Sequence, residues 1–116
     1  MNYTATTRQY LSGLTDMRYA KMVSCSDTIG RSMRAISFNL KREGTDFKVL
    51  VHEERKARIL TAIANDPQIL ARELAEVCGV ADGCKMRRLI MHYTGVRFAE
   101  FRLDAIRHMT AGSGLA

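Results

Sequence analysis

This 116-residue sequence has one proline, three cysteines and almost no strand signal. Because Pro67 is the only proline, the breaks in the chain fall mainly at glycines. Cys25, Cys78 and Cys84 form an odd set with no CxxC pair, and with three dispersed histidines they lack zinc-finger spacing. Free thiols in a reducing, cytoplasmic setting are therefore expected, with no metal and no cofactor. No apolar run approaches the ~20 residues that a bilayer span requires, and MNYTATTRQY lacks the apolar stretch of a secretory signal. Carboxylate pairs, a phosphate-binding loop and a metal cluster are equally missing, which argues against an enzyme. Acidic side chains are in deficit: 12 Asp and Glu against 18 Lys and Arg leave a formal charge of +6 and a pI near 9.6. Such a surface favours a polyanionic partner, since Lys and Arg gain by displacing the counterions condensed around phosphates.

What is present is helical. Cutting at Gly13, Gly30, Gly44, Asn65 to Pro67, Gly79, Asp82 to Gly83 and Gly95 leaves segments of helix length, many with apolar residues at three- and four-residue spacing. An all-α fold of about seven helices is predicted, with MNYTAT and TAGSGLA as frayed ends.

Two stretches nearly repeat one another. GTDFKVLV begins at Gly44 and GVRFAEFR at Gly95, and each follows the same grammar of helix, tight turn, helix and glycine stop. The first copy is SDTIG, the turn RS and MRAISFNLKRE; the second is LAEVCG, the turn VADG and CKMRRLIMHYT. That grammar is a helix-turn-helix, written twice. At 100° per residue, Met33, Ile36 and Leu40 share the inward side of the first copy, leaving Arg34, Ser37, Phe38 and Lys41 outside. In the second copy Met86, Leu89, Ile90 and Tyr93 point inward, and Cys84, Arg87, Arg88 and Met91 outward. Ser32 and Asp82 are the expected N-caps, and Gly44 the expected stop of the first copy.

Between the copies, FKVLVHEERKARILTAIA is predicted to be one helix ended by Asn65, with Asp66 and Pro67 as N-cap and first turn of the next. Phe47, Leu50 and Val51 share one side, whereas Ala57, Leu60, Ile63 and Ala64 have drifted around, as expected of a helix with two partners. From Phe47 to Ile63 it would span roughly 25 Å. With the offset of each flanking unit, that brings the outward helices toward about 34 Å apart, one turn of B-DNA. The expected organisation is an N-terminal subdomain over residues 1–46, a linker helix over 47–64, a C-terminal subdomain over 65–109 and a flexible tail over 110–116.

SMRAISFNLKREGTDFKVLVHEERKARIL is similar to the first helix-turn-helix and linker of the AraC family of bacterial transcription regulators, and DPQILARELAEVCGVADGCKMRRLIMHYTGVRFAEFR resembles its second helix-turn-helix and signature. The spacings from Gly30 to Gly44 and from Gly79 to Gly95, the Leu74-Ala75 pair and the series Gly95, Phe98, Phe101, Arg102 all fit. The resemblance implies a single-domain member, or a piece of a larger regulator. It further implies two recognition helices in successive major grooves of double-stranded DNA, and recruitment of RNA polymerase by a monomer or weak dimer.

On that reading the DNA-binding residues are Arg31, Arg34, Ser37, Phe38 and Lys41 in the first copy and Cys84, Lys85, Arg87 and Arg88 in the second. A solvated charged face would place arginines similarly, but these lie on the outward side of recognition-like helices. Phe38 stands where the family often has arginine and offers an apolar surface to a thymine methyl; Gly83, Cys84 and Met91 also depart from the family's polar pattern. Those departures keep open a second class of function, an antagonist that uses the same fold to hold another regulator or RNA polymerase.

Overall fold

Short polar side chains start four of the helices, each by accepting a backbone N–H that the helix leaves unpaired. In the computed structural model, residues 1–113 are described, with side chains through Arg107. Among these residues all regular structure is helical: α1 (Tyr3–Ser12), a 3₁₀ turn at Met17–Tyr19, α2 (Met22–Ile29), α3 (Met33–Arg42), α4 (Phe47–Asn65), α5 (Ala71–Cys78), α6 (Gly83–Thr94) and α7 (Phe98–Ser113). Asn2 Oδ1 accepts from Ala5 N at 3.0 Å, Ser32 Oγ from Ala35 N at 3.1 Å, Asp46 Oδ1 from Val49 N at 2.9 Å and Asp82 Oδ1 from Lys85 N at 2.8 Å.

The chain divides into two units, Met1–Lys56 and Ala57 onward, so the boundary falls inside α4. In the first unit Leu11, Met17, Cys25, Ile36, Leu40 and Leu50 form the core, with Tyr10, Leu14 and Phe47 packed against it. The second unit buries Ile59, Ile63, Leu74, Cys78, Met86 and Ile90, flanked by Leu89, Phe98 and Phe101. Each fully buried aliphatic side chain contributes roughly 1.5–3 kcal/mol. α4 serves both cores, giving Leu50 and Val51 to the first and Ile59 and Ile63 to the second. The drifting apolar pattern of this helix thus has its two partners, but Ala57, Leu60 and Ala64 are exposed and Ile59 takes the expected place of Leu60. With apolar residues all around this part of α4, a wheel cannot decide which side the second core takes.

Four local expectations differ from the structure. The MNYTAT end is not frayed, because α1 begins at Tyr3 and its first turn is held by a side chain 40 residues away. Glu43 Oε2 accepts from Tyr3 N at 3.0 Å, and Oε1 accepts from Thr4 N at 2.8 Å and the Thr4 hydroxyl at 2.6 Å. These bonds, the Thr4 hydroxyl foremost, hold the Glu43 carboxyl below its ordinary pKa. At the other linker end, Asp66 closes a turn on Gln68 N at 3.0 Å and starts no helix. α5 begins three residues after Gln68, where Glu73 Oε1 reaches back to accept from Leu70 N at 3.1 Å. Met33, expected inside, is 47% exposed, since the first residue of α3 lies beyond the reach of the core. At the C-terminus α7 runs through Ser113, so the expected tail is helical over residues 110–113, and residues 114–116 lie outside the described part.

Candidate nucleic-acid interface

The sequence repeat is also a repeat of backbone conformation. α2 ends at Gly30 with φ 75° and α5 at Gly79 with φ 68°, the left-handed region in which a Cβ is strained. Two residues farther on, or three in the second copy, a side-chain cap opens α3 or α6; Ser32 and Asp82 each bind the N–H three residues ahead. Gly44 and Gly95, at φ 90° and 74°, then turn the chain toward α4 and α7. Between those points the buried residues correspond at a shift of 50: Ile36 with Met86 and Leu40 with Ile90, none more than 1% exposed.

Burying that side presents the opposite one. On α3, Arg34, Phe38 and Lys41 are exposed at i, i+4 and i+7, and so lie along one face. Phe38 is the extreme, 65% exposed despite its apolar ring. Ser37 is half-buried at the edge of this face. Arg31 is exposed in the preceding turn, where its carbonyl accepts from Ser26 Oγ at 2.6 Å, so its backbone is tied to α2. On α6, Cys84, Lys85, Arg87 and Arg88 are all exposed, and Met91 continues the row at 43%. Every singled-out residue except Ser37 is therefore open to solvent, grouped on one recognition-like helix in each unit or beside it.

The buried thiols behave otherwise. Burial pushes the Cys25 thiol above its ordinary pKa, offset in part by the Thr7 hydroxyl, and Cys78 is fully enclosed in the second core. Among the described residues no group of three or more His, Cys, Asp or Glu could hold a metal ion, and no helix is long and apolar enough to cross a membrane.

One feature of the second unit has no counterpart in the sequence pattern. The start of α7 and the exposed side of α6 border an open cleft of about 630 Å³, lined by Leu70, Met91 and Phe98 together with Arg87, Arg88 and Arg97. Arg102 also lines it, and is fixed there: its Nη1 donates to the Ile69 carbonyl at 3.0 Å and its guanidinium lies 5.1 Å from the centre of the Phe98 ring. Arg102 thus braces the C-terminal helix. Arg87 and Arg88 carry a helical signal in the sequence; that Arg97 and Arg102 arrive beside them does not.

No family model matches the chain, and no curated protein matches its sequence. Among solved structures it is similar to the crystal structure of a DNA-binding transcriptional dual regulator from Escherichia coli K-12, at 16% identity and a TM-score of 0.76, over 92% of this chain and 95% of that one. At that identity the likeness is one of fold.

Proposed function

We propose that this protein is a sequence-specific DNA-binding transcription regulator of the AraC type, in which α3 and α6 enter successive major grooves of one duplex. The single observation that carries the reading is the duplication: two helix-turn-helix units with equivalent caps, equivalent buried pairs and cationic outward faces. The shared fold with a DNA-binding regulator supports it. Arg34, Arg87 and Arg88 are assigned to base edges, where a guanidinium can bond guanine bidentately; Arg31, Lys41 and Lys85 go to phosphates, and Phe38 to a thymine methyl. Ser37 and Cys84 complete the two faces.

On this reading the protein activates transcription by recruiting RNA polymerase in the bacterial cytoplasm, as a monomer or weak dimer with no catalytic step. These points rest on the family resemblance. A second reading, an antagonist that grips another regulator, is favoured by one observation, the exposed carbon surface of Phe38 and Met91 where polar contacts would be expected. Selection of bound duplexes from a random library separates the two. A DNA reader returns a site with two conserved patches about 10 base pairs apart, bound on the order of 10³-fold or more above random duplex and weakened by salt. An unenriched pool would reject DNA reading and leave the antagonist.

A further inference from the structure

We propose that the cleft between α6 and the start of α7 binds a small anionic amphiphile, a two-ring aromatic carboxylate, and that its occupation releases DNA. The site half of this inference stands on the cleft alone; the release half rests on the DNA contacts proposed for Arg87 and Arg88.

The chemistry of the walls selects the ligand. At about 630 Å³ the cleft lies within the roughly 300–1,000 Å³ typical of small-molecule sites. Phosphate contacts alone need guanidinium groups on an open surface and gain nothing from an apolar floor. Here Leu70, Met91 and Phe98 supply such a floor, which rewards a carbon body. The four arginines at the cleft face no carboxylate within its lining, and Arg87, Arg88 and Arg97 form no ion pair with a described carboxylate. The charge to be complemented is therefore negative, and a planar guanidinium fork matches a carboxylate by two parallel bonds. Arg102 is already bonded to the Ile69 carbonyl and set over the Phe98 ring, so it lines the cleft without further ordering.

The same geometry makes the ligand a competitor. Arg87 and Arg88 border the cleft from the outward face of α6, the face assigned to DNA. A guanidinium paired with the bound carboxylate is lost to a base or phosphate. A cleft inside the DNA-reading unit would thus couple an effector directly to the residues that contact DNA.

The test is calorimetric titration of the full chain with 2-naphthoate, first without DNA. Saturable binding at one site is expected, with 2-naphthalenemethanol, which lacks the charge, at least tenfold weaker. Ala99→Trp, at an exposed position lining the cleft, should fill the floor and weaken 2-naphthoate at least tenfold; Arg97→Gln should weaken it by a similar factor while leaving the fold intact. No saturable binding, equal binding of the alcohol, or two folded variants that bind like wild type would each overturn the site. With a selected duplex, 2-naphthoate at ten times its Kd should raise the apparent Kd for DNA about elevenfold. Unchanged DNA affinity with the cleft occupied would overturn release. A chain that binds no duplex but still takes up 2-naphthoate would sink the DNA-reading proposal, and release with it, while upholding the site.

Discussion

Replacing Gly83 with alanine should destabilise the second unit, although alanine is the better helix former. A Cβ at this position would stand 3.0 Å from Arg72 N and 3.3 Å from Arg72 Cα, both backbone atoms of α5 that cannot swing aside. Relief requires the first turn of α6 to back away from α5 by some tenths of an ångström. Overpacking of this kind costs about 1–3 kcal/mol, whereas the change from Gly to Ala within a helix returns about 0.5–1 kcal/mol. The steric term wins, leaving a net loss on the order of 1 kcal/mol and up to about 2.5 kcal/mol. Gly13→Ala is the matched control: its Cβ would meet nothing nearer than the Gln9 carbonyl oxygen at 3.4 Å, at an ordinary φ of −82°. That substitution should stabilise the first unit by about 0.4–1 kcal/mol by restricting the unfolded chain. Urea unfolding followed by far-UV circular dichroism reads both. With an m-value of about 1–2 kcal/mol/M, Gly83→Ala should lower the midpoint of its transition by roughly 0.5–1 M and Gly13→Ala should raise its own. A midpoint for Gly83→Ala at or above wild type would refute the clash, and with it the close seat of α6 on α5.

The same geometry sets four other outcomes. Arg88→Ala should weaken binding to a selected duplex by about 1–3 kcal/mol and relax preference at one base position; a folded variant with wild-type affinity removes Arg88 from the contacts. Two residues inserted after Lys56 should rotate the downstream half of α4, and the unit it carries, by ~200° and abolish tight binding while helicity persists. Retained affinity would mean that one unit alone grips DNA. The folded-state pKa of Glu43 is depressed, so its contribution is complete above the ordinary carboxylate pKa and is lost as pH falls through the lower folded value. Thermal melts of wild type should therefore converge on those of Glu43→Gln at acid pH and exceed them near neutrality; a constant gap across that range contradicts the assignment. Ile90→Ala, at a fully enclosed site, should cost about 2–5 kcal/mol in chemical denaturation, and a loss below about 1 kcal/mol would show that the second core can collapse around the cavity.

Much of this protein was written locally. A helical period and a capping side chain act within one or two turns, so Ser32, Asp82, the pairs Ile36–Met86 and Leu40–Ile90, and the outward row of Arg34, Phe38, Arg87 and Arg88 could all be read from the chain itself. Tertiary structure decided what depends on which segments arrive next to one another. Glu43 caps α1 from 39 and 40 residues away, and Ile59 is buried where the wheel allowed Leu60 as readily. Gly83, which in sequence marks a break and a departure from the family's polar pattern, is where α5 leaves no room for a Cβ. The gathering of Arg87, Arg88, Arg97 and Arg102 around one apolar cleft belongs to the same class. Periodicity specifies a direction around a helix axis; only packing supplies the neighbour that lies in that direction.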